Sequence, residues 1–128
     1  MKLLIDTHIL VWWLEDDPRL RPRVRMLIAN RANDVLVSVA SFWEMSIKFR
    51  KGGISDNGST SWQDAEAQGF EVLTLKREHI GAYDDLVPIA GHNDPFDHLI
   101  LSQAIAEEAV LVTNDHKMRL YGVRCLPA

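Results

Sequence analysis

The sequence is short of several things that would fix a specialised architecture. A single cysteine, Cys125, among 128 residues excludes an internal disulfide and fits a reducing compartment. No apolar run approaches the roughly 20 residues needed to span a bilayer. The opening Met1-Lys2-Leu3-Leu4-Ile5-Asp6 meets an acid too early for a signal peptide, so a cytoplasmic protein with no membrane partner is expected. Positive charge is in deficit, with 14 basic against 18 acidic residues and a net charge of -4, so bulk electrostatics does not draw this chain to nucleic acid. Internal repeats and low-complexity tracts are also missing. What remains, 47% hydrophobic and 25% charged residues, is the composition of an ordinary globule, read as one domain over residues 1–128.

Along the chain, short apolar runs alternate with helical patterns. Lys2 to Ile5 reads as a buried strand; Thr7 is placed to cap a helix through about Leu14, which Glu15-Asp16-Asp17-Pro18 closes. Arg19 to Asn30 reads as a second helix with Leu20, Val24, Leu27 and Ile28 as its apolar stripe, and Val35-Leu36-Val37-Ser38 as a second strand. Ser41 is placed to open a helix that stops at Gly52-Gly53, before a loop from Gly52 to Thr60 rich in Gly, Ser and Asn. Ser61 to Gln68 forms a helix, Phe70 to Leu75 a strand and Lys76 to Leu86 a helix. After these come a helix from Asp94 to about Glu108, the strand Val110-Leu111-Val112, a short helix from Asp115 to Tyr121 and a last strand from Val123 to Leu126. Strands separated by helices imply crossover connections, hence an α/β fold of three layers, α/β/α, around a central parallel sheet.

In such sheets ligands bind beyond the carboxyl ends of the strands. Asp6 lies just after the first strand and Thr113-Asn114-Asp115 just after the fourth, so both belong on that edge. In His92-Asn93-Asp94-Pro95-Phe96-Asp97, Asp94 caps a helix, Pro95 suits its first position, and Asp97 sits in the first turn, beside the open N-terminus that favours anions. Phe96, Leu99, Ile100 and Ala104 mark the core face of that helix. Glu44 is open to two readings. Ser41-Phe42-Trp43-Glu44 fits a capping box, with Lys48 at ion-pair spacing, and spacing alone favours the cap over a metal role.

At about 4 Å and an effective dielectric near 20, each pair of like charges opposes assembly by roughly 4 kcal/mol. Four acids gathered without a counter-ion are therefore unfavourable, and a divalent cation resolves the conflict. Carboxylate oxygens suit Mg²⁺ or Mn²⁺, and no Cys/His cage for structural zinc is present. Hydrolysis of a phosphodiester is the natural reaction of such a site.

The motifs Leu4-Ile5-Asp6-Thr7-His8, Ser38-x-x-Ser41-Phe42-Trp43-Glu44-Met45-x-x-Lys48, His92-x-Asp94-Pro95-Phe96-Asp97 with Gln103-Ala104, and Leu111-Val112-Thr113-Asn114-Asp115 occur in this order from Lys2 to about Leu126. In that arrangement the chain resembles a PIN domain nuclease, specifically a VapC-type ribonuclease toxin of a type II toxin-antitoxin pair. The resemblance implies Asp6 and Asp97 as principal metal ligands, Glu44 as a third acid holding metal or its water, and Asp115 as a fourth. Thr7, Asp94, Thr113 and Asn114 would support or cap these acids. It further implies one or two Mg²⁺ ions, replaceable by Mn²⁺, and an RNA substrate cut by water to leave 5′-phosphate and 3′-hydroxyl ends. A cognate antitoxin and a homodimer are the implied partners.

Some features depart from that pattern or lie outside it. His98 stands where members often carry arginine, Asn114 occupies a variable place, and the Gly52 to Thr60 loop matches nothing. His8, His92, His98 and His116 lie near acidic motifs, but no pair has the spacing of an established zinc motif, so they read as surface or supporting residues. The Arg19, Arg21, Arg23, Arg25 series, the Lys48, Arg50, Lys51 group and the Lys76, Arg77 pair read as solvated faces, guiding phosphate only if a site lies beside them. Ile9 to Leu14 is apolar throughout, so Trp12 or Trp13 is a candidate groove for an antitoxin segment. Two other classes stand beside it: a receiver domain, which should carry a paired acid early where this chain has Asp6 with Thr7, and a catalytically silent binding module, which complete motifs alone do not exclude.

Overall fold

A computed structural model describes residues 1–128. Five parallel strands, β1 (Lys2–Ile5), β2 (Asp34–Ser38), β3 (Glu71–Leu73), β4 (Val110–Thr113) and β5 (Cys125–Pro127), form one sheet in the order β3-β2-β1-β4-β5. Ile5 stands opposite Val37 on one side and Val112 on the other, so the residues that follow these strands leave the sheet along one edge. The chain winds outward from β1 through β2 to β3 and then returns to β4. The reversal lies between β1 and β4, where open α/β sheets form their ligand crevice.

Alternation along the strands builds two cores. Leu3, Ile5, Val35, Val37, Val110 and Val112 pack under α1 (Thr7–Leu14), α2 (Pro22–Ala29), α3 (Val39–Arg50) and α4 (Gly58–Ala67). Leu4, Leu36, Leu73 and Leu111 pack under α6 (Pro95–Glu107), against which α5 (Arg77–Asp85) lies. The three-layer parallel arrangement expected from the alternating pattern is the one found. No helix is long and apolar enough to cross a membrane.

Several helix starts differ from their expected positions, each for a local reason. Asp6, not Thr7, caps α1, accepting the Ile9 N–H at 3.0 Å. Ser38, not Ser41, caps α3 by accepting the Ala40 N–H at 3.1 Å. The helix thus begins directly from the strand, Glu44 falls beyond the first turn, and the expected capping box does not form. The second helix begins at Pro22 rather than Arg19, because proline is tolerated only in a first turn and the Arg19 N–H is already held by Asp17 Oδ1 at 2.8 Å. The helix expected from Asp115 to Tyr121 shrinks to a 3₁₀ turn at Met118–Tyr121. The Thr113 hydroxyl takes the Asp115 N–H and Asp115 Oδ1 the Lys117 N–H, diverting the donors that a longer helix would use. On α6 the buried set is broader than the expected stripe: His98, Ile100, Leu101, Ser102, Gln103 and Ala104 are all enclosed between sheet and helices, whereas Phe96 and Leu99 are half-buried.

The loop expected through Thr60 ends earlier, at Asn57, which caps α4 by accepting the Thr60 N–H at 2.8 Å. Gly58 opens that helix pressed against α3, its N–H bonded to Ser46 Oγ at 2.8 Å, and a methyl group there would collide with the Phe42 carbonyl. Alanine normally improves a helix by about 1 kcal/mol over glycine. Here the collision with backbone reverses the sign, and Gly58→Ala is expected to lose about 1 to 3 kcal/mol in urea unfolding. A neutral or stabilising result would show that α4 can slide off α3 freely.

Candidate metal centre

Four elements deliver side chains to the carboxyl edge of the sheet. Asp6 follows β1 and is buried, with its N–H bonded to the Val112 carbonyl at 3.1 Å. Its Oδ1 accepts the Ile9 N–H, and its Oδ2 accepts the Thr113 hydroxyl. Because the Thr113 oxygen also accepts the Asp115 N–H at 3.0 Å, one buried hydroxyl ties the acid after β1 to the acid after β4. Asp97 arrives from the first turn of α6, whose start Asp94 caps by accepting the Phe96 N–H at 2.9 Å. One ligating atom from each of His92, Asp97 and Asp115 lies within 4.8 Å of those of the other two.

The electrostatics match that crowding. Burial raises the Asp6 carboxyl to about 6, against the lowering effects of the Thr113 and Ile9 hydrogen bonds and of His8, and the charge of Asp97 adds to the rise. Asp97 is raised as well, by burial first and then by Asp94 and Asp115, in spite of its hydrogen bond from His92. Opposite oxygens around Mg²⁺ stand about 4.2 Å apart, so the Asp97 and Asp115 carboxylates, with an oxygen of each within 4.8 Å of the other, suit a small divalent ion.

Glu44 is held apart from this group. It is buried on α3, its Oε1 accepting the Thr7 hydroxyl at 2.7 Å and its Oε2 paired with Lys48 at 3.2 Å. Thr7 Oγ1 also lies 2.8 Å from Ser41 Oγ. Glu44 thus reaches the Asp6 corner through the neighbouring threonine. Asn114 is exposed and lines, with Asp6, His8, Trp12, Arg19 and Asp115, a cleft of about 370 Å³. Arg19 is the basic residue placed at the acids, where it also grips Asp17 at 2.7 Å and covers Trp12 at 5.1 Å. Trp12 is buried; Trp13 is half-buried, with its indole N–H given to Gln68 at 3.1 Å and its ring 5.7 Å from Phe70.

Two further residues complete this site: His92, read from the sequence only as one of several surface or supporting histidines, and Tyr121, which was not singled out. His92 is buried, with Nε2 3.0 Å from Asp97 Oδ2 and the other ring nitrogen, Nδ1, 2.8 Å from the Tyr121 hydroxyl. The nearness of His92 to the Asp94-Pro95-Phe96-Asp97 motif was a usable signal. Tyr121 gave none, since only the sheet topology brings it there. His98, the departure from arginine, turns inward and donates to the His92 carbonyl at 2.8 Å, so it offers no surface contact to a phosphate.

The raised Asp6 carboxyl has a sign that can be checked. A proton held in the folded chain up to about pH 6 leaves the unfolded chain near pH 4, so the cost of the buried charge is absent at low pH, grows through that window, and is complete above it. In metal-free protein Asp6→Asn is expected to gain on wild type by up to about 3 kcal/mol between pH 4 and pH 7, read from urea unfolding across pH. A difference that does not vary with pH would contradict the buried charge.

The fold is shared with solved proteins. The chain is similar to a protein in the VapBC2 structure from Rickettsia felis, bound to a DNA fragment from their promoter, with a TM-score of 0.74 and 22% identity, covering 99% of this chain and 98% of that one. It is similar to one in VapBC-1 from nontypeable Haemophilus influenzae, at 0.70 and 21%, and to one in DNA-bound VapBC from Salmonella typhimurium, at 0.69 and 18%, with the same coverage in both cases. No curated protein matches. The PIN domain family model matches residues 3–123, which take in four of the five strands and all six helices, and the chain belongs to the PIN domain family.

Proposed function

We propose that this protein is a VapC-type endoribonuclease, a single PIN domain acting in the cytoplasm as the toxin of a toxin-antitoxin pair. The observation that carries the reading is the meeting of Asp97 and Asp115, with Asp6 tied to the latter through Thr113, at the strand edge where the chain reverses. Asp6, Asp97 and Asp115 would hold Mg²⁺ or Mn²⁺, as one or two ions, with Glu44 as a further acid held by Thr7 and Lys48. When bound, the cation supplies charge neutralisation at a phosphate and a more acidic water.

The chain's own groups do the positioning. Each Asp6 oxygen already accepts one hydrogen bond, which fixes the carboxylate plane and leaves a lone pair on each. Asp94 turns the N-terminal end of α6 toward the site, and that dipole favours anionic groups placed there. Arg19 at the cleft offers a cation to the phosphate backbone of a single strand. Water's oxygen bonds to phosphorus as the bond to the 3′ oxygen breaks, leaving 5′-phosphate and 3′-hydroxyl ends. Likeness to proteins of VapBC complexes supports an antitoxin partner, for which the Trp12 and Trp13 helix is the proposed surface, and a homodimer, implied by the family resemblance alone, completes the proposed assembly.

Purified protein is expected to cut RNA with Mg²⁺ or Mn²⁺ and to stop with EDTA, and Asp6→Asn, Asp97→Asn and Glu44→Gln are expected to fall to background while remaining folded. Cleavage that survives EDTA, or variants as active as wild type, would reject the reading. Trp13→Ala should weaken antitoxin binding by about tenfold or more in a titration below its unfolding temperature, a loss of at least about 1.4 kcal/mol, alongside the lower melting temperature that follows from losing its packing on Phe70. Unchanged affinity would move the antitoxin surface elsewhere.

A further inference from the structure

His92 belongs to the close group with Asp97 and Asp115, and by residue type it could be a third metal ligand. Its hydrogen bonds give it a different place. The Ile89 backbone N–H can only donate, and it donates to the Tyr121 hydroxyl oxygen at 3.0 Å. The His98 ring lies with Nε2 2.8 Å from the His92 carbonyl, which can only accept, so that nitrogen carries a proton and cannot take one from Tyr121, 3.5 Å away. The Tyr121 proton is thereby left to His92 Nδ1 at 2.8 Å. A neutral His92 accepting there carries its own proton on Nε2, which points at Asp97 Oδ2 at 3.0 Å. Every donor in the series then meets an acceptor, and neither imidazole nitrogen has a lone pair free for a cation.

We propose that Tyr121 and His92 are positioning residues, a partly buried hydrogen-bonded chain that orients the Asp97 carboxylate toward the cation, and that His92 is not itself a ligand. This rests on the metal reading above. The donated bond occupies one lone pair of Oδ2 and sets the rotation of the carboxylate, leaving Oδ1 and the outer side of Oδ2 for the ion. Groups that orient ligands in this way typically contribute about 10- to 100-fold in metal affinity. The ring is further fixed by its edge-on packing against His98 at 5.0 Å and its tilt against Tyr121 at 5.4 Å. Tyr121 precedes Gly122, whose left-handed backbone ends the 3₁₀ turn and aims the chain into β5, so the orienting hydroxyl is anchored by the strand next to β4.

The test uses the full chain and Mn²⁺ as the probe. In metal-free protein labelled with ¹⁵N histidine, the His92 ring is expected to show a bare Nδ1 and a protonated Nε2, and Tyr121→Phe is expected to keep the proton on Nε2, which Asp97 still accepts, while shifting the Nδ1 resonance as its hydrogen bond is lost. Titration with Mn²⁺ followed by electron paramagnetic resonance should show His92→Ala weakening affinity by about 10- to 100-fold. His92→Gln, which keeps an N–H donor, should recover part of it, and Tyr121→Phe, the milder change if His92→Ala fails to fold, should show a smaller loss in the same direction. Spin-echo spectra of the labelled wild type should show no directly bound imidazole nitrogen. A bound nitrogen that vanishes in His92→Ala, or wild-type affinity in both His92→Ala and Tyr121→Phe, would overturn the positioning role while leaving the metal site intact. Wild-type protein that takes up no Mn²⁺ would overturn the metal site and this role together.

Discussion

Negative charge gathered at one edge of the sheet is the constraint around which this fold is arranged. Asp97 and Asp115 share a neighbourhood within 4.8 Å, and at an effective dielectric near 20 such a pair repels by roughly 3 kcal/mol. Asp94 adds to the charge felt by Asp97, and Asp97 to that felt by Asp6. A fold stabilised only for its own sake would separate these groups or place a lysine among them. Instead the topology brings them to one edge: β1 and β4 are hydrogen-bonded neighbours, with Asp6 one residue past Ile5 and Asp115 three residues past its partner Val112.

The acids are supported by neutral donors. Asp6 takes a backbone N–H and a hydroxyl, Asp97 an imidazole, Glu44 a hydroxyl. Neutral donors fix direction without discharging the group, and for Asp6 and Asp97 burial outweighs them, so both carboxyls remain raised. Glu44 differs, because Lys48 on the next turn already gives it a cation. Within one site, therefore, Asp6 and Asp97 keep raised carboxyls while the acid on α3 is paired with a lysine, which makes the first two the better candidates for the cation of the proposed function.

Much of this was legible in the residues. Apolar runs spaced by helical patterns specified a parallel sheet, because strands buried on both faces need no polar alternation, and the acids after Ile5 and Val112 followed from strand ends. Asp94-Pro95 marked a helix start that the structure keeps. The failures share a cause: several side chains can compete for one set of backbone donors. Ser38 and Ser41 are both credible caps, and the end of β2 decides between them. Asp6 takes the cap from Thr7, which frees the threonine for Glu44. His92 gave a faint local signal and Tyr121 none, since their meeting depends on β5 lying beside β4, a fact of topology rather than of spacing.

The far end of α6 shows that the excess of charge is particular to one edge. Glu107 lies ten residues beyond Asp97, about 15 Å along the helix at 1.5 Å per residue. It too meets a buried histidine, His79, at 2.8 Å, but Lys76 at 3.3 Å and Lys2 at 3.5 Å complete the set. Its carboxyl is lowered, by the His79 hydrogen bond first and then by Lys76 and Lys2, where that of Asp97 is raised. One helix thus carries two acid-histidine pairs with opposite electrostatic outcomes. The pair at Glu107 is closed by cations from this chain and joins β1 to α5 and α6. The pair at Asp97 has two further carboxylates, Asp94 and Asp115, where the other has lysines, and these add to the burial that raises it.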